Sequence, residues 1–301
     1  MHLSSTLSKK ILAWYDNSKR NLPWRVSKKS PKRLYYRLLS EFMLQQTQVK
    51  TVIPYFNKFT KKYKTLESLS KINENQILKL WEGLGYYRRA KNLLATVKLL
   101  VKVYNSKLPN NLIEIKKLPG VGDYTGNALL GFIYNYPTIA IDGNVKRVFS
   151  RYLNKMESKI NFVKLIDSNK KNLFITNRNS DFVEALMEFG ALICKPKDPK
   201  CSQCCLNKSC RYLKSSNKIE TIKRRKIKVM NYNIFCYVSK KRQIALTKEN
   251  EIKFLKNFNL PLIKEMKNNS VNKDWKFLRN LISFFFVKAI CFFLLTKQKI
   301  L

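Results

Sequence analysis

The placement of glycine constrains the fold of this chain more than any other feature of its sequence. The 301 residues include only eight glycines, and all of them lie between Gly83 and Gly190. Because glycine is needed where φ is positive or where another backbone approaches closely, these positions mark tight local geometry. Most of them fall in four short motifs, GLGYY, LPGVGDYTG, IDGNV and EFGA. We therefore expect sharp turns at these points.

Hydrophobic spacing divides the chain into two predicted domains. Residues 1–213 carry apolar side chains at helical intervals, which predicts a mainly helical domain. The segment KSSNKIETIKRRKIK, residues 214–228, is polar and basic and is predicted to be a linker. In the predicted second domain, residues 229–301, NYNIFCYV and RQIALT are typical of strands separated by a polar turn. Cys236 and Cys291 lie in apolar segments of this domain and are expected to be core residues.

The strong positive charge indicates a polyanionic partner. Sixty Lys and Arg residues against nineteen Asp and Glu residues give a formal net charge of +41, and nucleic acid is the first candidate. The alternative is a compositional origin, because Lys, Asn and Ile are abundant throughout, as an AT-rich genome would produce. The charge therefore supports a nucleic-acid partner without establishing one.

The sequence gives no strong indication of a membrane-spanning segment. The N-terminus lacks an apolar stretch of signal-peptide length. Residues 281–295 are strongly apolar, but they are interrupted by Lys288 and rich in Phe and Ile, so we expect strands there. We expect a cytoplasmic monomer with no membrane partner.

The single histidine, His2, narrows the chemistry that is open to this chain. Histidine-based general-base catalysis, a histidine-rich metal site and a Ser-His-Asp triad are close to excluded. The sequence also has no Walker-type phosphate loop. Catalysis must therefore rest on carboxylates, lysines, tyrosines or a cofactor.

Two carboxylates stand in contrasting surroundings. Glu41 lies in LLSEFMLQQTQVKTVIPYF, residues 38–56, among apolar neighbours. If that helix face is buried, desolvation raises the pKa of Glu41; if it is exposed, Glu41 is an ordinary solvated residue. Asp142, in AIDGNVKRVF, precedes a predicted helix and is expected to cap it. A protonated Glu and an ionised Asp would suit cleavage through an oxocarbenium-like sugar.

The motif LPGVGDYTG, residues 118–126, joins two predicted helices. Gly120 and Gly122 allow a tight hairpin whose backbone N–H groups point outward at a helix N-terminus, which suits one phosphate. The alternative is a plain connection between two helices.

Four cysteines follow with the spacing C-x6-C-x2-C-x5-C, namely Cys194, Cys201, Cys204 and Cys210. Four thiols within 17 residues of a cytosolic chain indicate metal or cluster ligation rather than disulfides. Either zinc or a 4Fe–4S cluster accepts four cysteines. Cys205 is an adjacent fifth thiol that can be a spectator.

Taken in order, LLSEFMLQQTQVKTVIPYF, LWEGLGYYRRAKNL, LPGVGDYTG, IDGNVKRVFSRY and the cysteine spacing resemble the MutY family of adenine DNA glycosylases. The resemblance covers residues 14–213. It implies a mainly α helix-hairpin-helix glycosylase core with an iron–sulfur cluster loop at residues 194–210. It also implies that residues 229–301 form a small, degenerate α+β domain similar to MutT.

The resemblance implies base excision repair in which adenine mispaired with 8-oxoguanine or guanine is flipped out of double-stranded DNA and removed. Glu41 matches the glutamate that protonates the base, Asp142 the aspartate that stabilises the sugar cation, and Asn144 a residue that supports them. Tyr124 matches a tyrosine near the reacting sugar. The implied cofactor is one 4Fe–4S cluster on the four spaced cysteines. The implied location is the bacterial nucleoid.

The resemblance also implies a set of contacts to DNA. Gln46 matches a glutamine that inserts into the base stack, Thr47 contacts the lesion side, and Tyr86 matches an aromatic wedge beside 8-oxoguanine. The remaining implied contacts are Leu84 in the wedge loop, Gly120 and Gly122 in the hairpin, and Arg20, Trp24, Arg25 and Glu184 around the adenine pocket.

Two alternatives and one departure follow from the same residues. An endonuclease III-like lyase would carry a lysine where this chain has Tyr124, so a monofunctional enzyme is expected. A catalytically decayed DNA-binding protein would not need to retain Glu41 and Asp142. The family's Phe-Ser-His element corresponds here to Ile282-Ser283-Phe284. Ser283 is retained and the histidine is not, so we expect activity on A:G pairs to lie closer to that on A:8-oxoguanine pairs.

Overall fold

The structure is a computed structural model that describes residues 3–219, 231–238, 246–247, 260–265, 276–277, 282–284 and 287–295. The chain divides into two compact units, Met1–Thr221 and Ile222–Leu301.

The first unit is helical, as the apolar spacing predicted. Its helices are α1 (Thr6–Ser18), α2 (Arg33–Leu44), α3 (Val49–Lys62), α4 (Leu66–Ser70), α5 (Glu74–Trp81), α6 (Arg88–Val103), α7 (Leu112–Ile115), α8 (Asp123–Tyr134), α9 (Gly143–Leu153), α10 (Phe162–Ser168), α11 (Lys170–Leu173), α12 (Asn179–Leu192) and α13 (Arg211–Lys214). Short 3₁₀ turns occur at Glu157–Lys159, Cys201–Gln203 and Asn207–Ser209.

Two hydrophobic cores organise this unit. Helices α2 to α8, which are consecutive in the chain, enclose the first core around Phe42, Phe56 and Trp81. Helix α1 joins α9 to α12 around the second core, which includes Phe149 and Phe189. Helices α8 and α12 meet across a smaller apolar cluster. The chain therefore returns its N-terminal helix to the C-terminal half of the unit, which leaves a seam between the two cores.

Helix α2 is buried on nearly all of its faces, and this determines the character of the site. Its sequence RLYYRLLSEFML combines apolar residues with Arg33, Arg37 and Glu41, and all three charged side chains are buried. Because buried charged groups are rarely tolerated without partners, their positions here require compensating contacts. Helix α2 therefore carries charge into the interior of the unit.

The described part of the second unit consists of strands. These are β1 (Asn231–Val238), β2 (Leu262–Glu265), β3 (Lys276–Phe277), β4 (Ile282–Phe284) and β5 (Val287–Leu295). Strand β1 pairs antiparallel with β2 and parallel with β5, and β5 pairs antiparallel with both β3 and β4.

The predicted strand NYNIFCYV coincides with β1, and residues 281–295 contain β4 and β5, as expected. Of RQIALT, only the last two residues lie in the described part, where Thr247 bridges Leu260. Residues 220–228 of the predicted linker lie outside the described residues. The likeness to MutT stays a prediction.

Within the described residues, no helix is both long enough and apolar enough to cross a membrane.

Candidate active site

Glu41 lies on α2 near its C-terminal end and is only 5% exposed. Its Oε2 atom has no hydrogen-bond partner among the described residues. Burial raises the pKa of Glu41 to about 7, although Arg37 and Tyr124 act to lower it. Of the two alternatives that the sequence left open for Glu41, the structure shows the buried one, and Glu41 can hold or release a proton near neutral pH.

Tyr124 and Asp142 lie within electrostatic range of Glu41, although all three come from distant parts of the chain. Glu41 is on α2, Tyr124 is on α8, and Asp142 precedes α9. Burial raises the pKa of Tyr124 well above its usual value, and the neighbouring Glu41 and Asp142 raise it further. The Tyr124 hydroxyl donates to Met187 Sδ at 3.3 Å. The structure therefore brings three of the four predicted catalytic residues together at the seam between the cores.

The fourth, Asn144, fixes Asp142 directly. Asp142 caps α9, as predicted, because its Oδ1 accepts a hydrogen bond from the Val145 backbone N–H at 2.7 Å. Its Oδ2 accepts from Asn144 Nδ2 at 2.8 Å, and Asn144 Oδ1 in turn accepts from Arg147 Nη2 at 2.7 Å. Both carboxylate oxygens of Asp142 therefore accept a hydrogen bond. Asp142 is thus held in one orientation by its own helix.

Gly190 allows this turn to lie close to α12. A Cβ atom placed on Gly190 would lie 2.6 Å from Asn144 Cβ and 3.0 Å from the Asn144 backbone. A side chain at this position would push α9 away from α12. The glycine of the EFGA motif therefore sets the distance between the Asp142 turn and the helix that carries Glu184.

Glu184, on α12, is the centre of a buried ion network. Arg37 donates to both of its oxygens at 2.6 and 3.0 Å, Arg25 Nε donates at 2.7 Å, and the Tyr15 hydroxyl donates at 2.8 Å. Burial alone would raise the pKa of Glu184, but the two guanidinium groups and the Tyr15 hydroxyl lower it to about 2. Glu184 is therefore an anion whose acceptor positions are all occupied.

A cleft of about 380 Å³ opens next to this network. Three of the four residues predicted to line the adenine pocket line this cleft, namely Arg20, Arg25 and Glu184. The fourth, Trp24, was predicted to line the pocket, but it is 3% exposed and packs edge-on against Phe56 at a centroid distance of 5.3 Å. Its large apolar surface is buried in the first core, so Trp24 does not line this cleft.

Two exposed loops flank the buried residues. Gln46 is exposed and has φ 57°, Thr47 follows it, and Tyr86 is 61% exposed with φ 49°. Leu84 was predicted to contact DNA, but its side chain is only 5% exposed and belongs to the first core. Positive φ is uncommon for non-glycine residues, so the local backbone is held by its surroundings.

The hairpin joins α7 to α8. Gly120 has φ 78°, and a Cβ atom on it would lie 2.7 Å from the Asn92 side chain, so glycine is required there. Gly122 is the N-cap of α8 and makes no side-chain capping hydrogen bond. The helix–hairpin–helix geometry expected for this motif is present.

The predicted ligand cysteines lie together in the loop after α12, and each is partly buried. Burial raises the pKa of Cys204 to about 12, with Cys194 and Cys210 close enough to add to the effect. Burial also raises the pKa of Cys210, and the nearby Cys194 and Cys201 thiols raise it further. Among the residues that the structure describes, no three His, Cys, Asp or Glu side chains converge closely enough to hold a single metal ion.

Two arginines of α9 hold the start of the cysteine loop. Arg147 Nε donates to the Cys194 carbonyl at 2.7 Å, and Arg151 donates to the carbonyls of Lys195 and Pro196 at 2.6 and 2.9 Å. The same helix therefore supports both Asp142 and this loop.

Sequence reasoning did not identify several residues that fix the geometry of the site and its loops. They are Tyr15, Arg37, Arg89, Arg147 and Glu188, and each is held by partners far away in the chain. Arg37 alone carried a local signal, because it precedes Glu41 by one helical turn and must share its face.

Comparison with known proteins agrees with the geometry. Residues 39–162 match the family described as HhH-GPD superfamily base excision DNA repair protein. The adenine DNA glycosylase of Buchnera aphidicola subsp. Baizongia pistaciae is 38% identical over 79% of this chain and 70% of its own length. That of Buchnera aphidicola subsp. Schizaphis graminum is 37% identical over 89% of this chain and 80% of its own. The human adenine DNA glycosylase is 36% identical over 67% of this chain and 38% of its own.

Solved structures show the same fold. A thermostable thymine-DNA glycosylase superposes with a TM-score of 0.61 and 29% identity, covering 69% of this chain and 95% of its own. Endonuclease III in a non-covalent DNA complex gives a TM-score of 0.56 at 21% identity, covering 70% of this chain and 97% of its own. The helical core, the buried Glu41, the aspartate that caps α9, and the adenine DNA glycosylase relatives together show that the chain belongs to the adenine DNA glycosylases of base excision repair, within the HhH-GPD superfamily.

Proposed function

We propose that this chain hydrolyses the N-glycosidic bond of adenine mispaired with 8-oxoguanine or guanine in double-stranded DNA and leaves an abasic site. The main support for the proposal is the buried Glu41, which has a pKa of about 7 and lies within electrostatic range of Asp142 and Tyr124. Near neutral pH Glu41 can therefore carry a proton, which suits a general acid.

In this proposal Glu41 donates its proton to the everted adenine, so that the base leaves as a neutral group. Asp142 lies across the reacting sugar and stabilises the positive charge that develops there. Asn144 and the α9 backbone hold Asp142 in place, as the two hydrogen bonds to its oxygens indicate. Water then completes the hydrolysis.

Tyr124 supports a monofunctional reaction. A lyase needs an amine that attacks the sugar and forms a Schiff base, and a phenol cannot form an imine. Tyr124 instead lies beside Glu41 with its hydroxyl directed to Met187. We expect it to shape the site rather than to cut the strand.

The exposed loops suit the DNA side of the proposal. Gln46 can enter the base stack through an uncharged amide, and the exposed ring of Tyr86 can stack beside the opposing base. The uncapped N-terminus of α8 after Gly122 can accept one phosphate. Because Glu184 is already saturated by its partners, we expect it to organise Arg25 and Arg37 rather than to read adenine directly.

The four spaced cysteines fit a 4Fe–4S cluster. Their thiols lie within electrostatic range of one another, are partly buried, and are adjacent to the Arg151 guanidinium, which donates to Cys194 Sγ at 3.5 Å. Cys194, Cys201, Cys204 and Cys210 would hold such a cluster through their thiolates. When bound, the cluster would supply four iron–thiolate bonds that tie the loop together. Cys205 stays a spectator in this proposal.

We propose that the second unit recognises the base that is paired with the target adenine. Ser283 lies on β4, and its side chain is outside the described residues. We propose that the missing histidine narrows the preference for 8-oxoguanine over guanine. We also propose that the protein acts as a monomer in the cytoplasm, associated with the nucleoid.

A single-turnover assay tests the proposed function. Duplexes carrying A:8-oxoguanine, A:G and A:T pairs are incubated with excess protein, divided, and treated with either alkali or sodium borohydride. We expect strand breaks only after alkali, on the first two duplexes, with no protein–DNA adduct after borohydride. Cleavage without alkali or a trapped adduct would contradict the monofunctional proposal, and no release of adenine would contradict the activity itself.

A further inference from the structure

Two exposed loops carry the residues that are proposed to enter DNA. The Gln46 loop, residues 45–48, connects α2 to α3, and the Tyr86 loop, residues 82–87, connects α5 to α6. Both Gln46 and Tyr86 have positive φ, which is unfavourable for their side chains. Something in the fold must hold both loops in these conformations.

Arg89 lies in the first turn of α6 and is 7% exposed. One of its terminal nitrogens, Nη1, donates to the backbone carbonyls of Phe42, Met43 and Gln45, the first two at 3.3 and 2.7 Å. The carbonyls of Phe42 and Met43 lie in the last turn of α2, and that of Gln45 directly follows it. Carbonyls at a helix C-terminus have no N–H partner within the helix. A permanent positive charge at the C-terminal end of a helix is also favourable. Arg89 therefore terminates α2 at the point where the Gln46 loop begins.

The other terminal nitrogen of Arg89 holds the second loop. Nη2 donates to the carbonyls of Leu84 and Gly85 at 3.2 and 3.0 Å. The Gly85 carbonyl also accepts from Trp81 Nε1 at 3.0 Å. The guanidinium lies over the rings of Trp81 and Tyr86, at 5.4 and 5.5 Å from their centroids. One buried side chain thus contacts the backbone of both loops and the proposed wedge itself.

We propose that Arg89 is a positioning residue that holds the Gln46 loop and the Tyr86 loop as one unit, so that both side chains enter DNA at a fixed separation. The inference rests on the proposed function, which supplies the DNA-entering roles of Gln46 and Tyr86. Arg89 is buried and acts through the loops. A lysine cannot replace it, because one ammonium group cannot donate in two directions as a planar fork does.

A double-mutant cycle tests this inference with Arg89→Lys and Tyr86→Ala, measured as single-turnover adenine release from the A:8-oxoguanine duplex. Because misplacing a group by about 1 Å can cost about 100-fold in rate, we expect Arg89→Lys to lose roughly that factor. If Arg89 acts through the Tyr86 loop, Tyr86→Ala should lower the rate strongly in the wild-type background and by less than about threefold in the Arg89→Lys background.

Controls separate this role from a general loss of stability. Arg88→Met removes a neighbouring exposed charge, and its effect should multiply with that of Tyr86→Ala. The melting temperature of each variant is measured, and Arg89→Lys is used in place of Arg89→Met because it keeps the buried charge. If the wild-type protein is active and the rate losses of Arg89→Lys and Tyr86→Ala multiply in the double mutant, the two residues act independently and the inference is wrong. An inactive wild-type protein would instead overturn the proposed function.

Discussion

Replacing Glu41 with glutamine is expected to slow adenine release by about 10²–10⁴-fold, the range that a positioned general acid contributes. Glutamine keeps the size of the side chain but carries no transferable proton. The measurement is the single-turnover rate on an A:8-oxoguanine duplex, with duplex affinity determined in parallel. Affinity should change little, because Glu41 is buried and the proposed DNA-entering residues lie on other loops. A variant that retains more than about a tenth of the wild-type rate would contradict the assigned role.

The same substitution should change stability in a pH-dependent way. The folded-state pKa of Glu41, about 7, lies above the ordinary value of 4.5, so folding favours the protonated form. The resulting stabilisation is present below pH 4.5 and is lost as the pH rises through 7, by at most about 3 kcal/mol. The melting temperature of Glu41→Gln relative to wild type should therefore become more favourable as the pH rises from 4.5 to about 7.5. A constant difference would mean that Glu41 is not desolvated.

Replacing Asp142 should separate its role in catalysis from its role as a helix cap. Asp142→Ser removes the carboxylate but keeps an oxygen that can accept from the Val145 N–H, because serine caps helices about as well as aspartate. Asp142→Ala removes both. We expect both variants to lose about 10²–10³-fold in single-turnover rate, the usual cost of removing an electrostatic contact to a transition state. Only Asp142→Ala should also lose about 1 kcal/mol of stability.

Asn161 offers the matched control. It caps α10 by accepting from the Lys164 N–H at 3.0 Å, away from the site. Asn161→Ala should destabilise the protein about as much as the loss of the Asp142 cap but leave the rate unchanged. If Asp142→Ser were nearly as active as wild type, Asp142 would be a structural cap and not part of the chemistry.

The local properties of the site could be predicted from sequence because they depend on near neighbours. Phe42 and Met43 next to Glu41 made burial one of two alternatives, and Asp142 before an apolar helix indicated a cap; the structure shows a buried Glu41 and a capping Asp142. The approach of Glu41 to Asp142 depends on tertiary packing across the unit, and no local pattern encodes that. The resemblance to a known family supplied it instead.

The buried arginines show why the rest could not be predicted. In a chain with 60 Lys and Arg residues, nothing distinguishes Arg89 from a solvated cation until its partners are known, and only its spacing from Glu41 distinguishes Arg37. Arg37 is compensated by Glu184, and Arg89 by backbone carbonyls of two separate loops. The side chains of Leu84 and Trp24 were assigned to DNA and to the adenine pocket, but the packing of the first core buries them.

The central claim is that catalysis uses a proton held by Glu41 in a buried setting shaped by Arg37, Tyr124, Glu184 and Asp142. The most direct test is the pH dependence of single-turnover adenine release by wild type and by Arg37→Met. The wild-type rate should fall as the pH rises through about 7, as Glu41 loses its proton. Because Arg37 lowers the pKa of Glu41, its removal should move the fall to higher pH. A wild-type rate that is constant or rising between pH 6 and pH 9 would contradict the account.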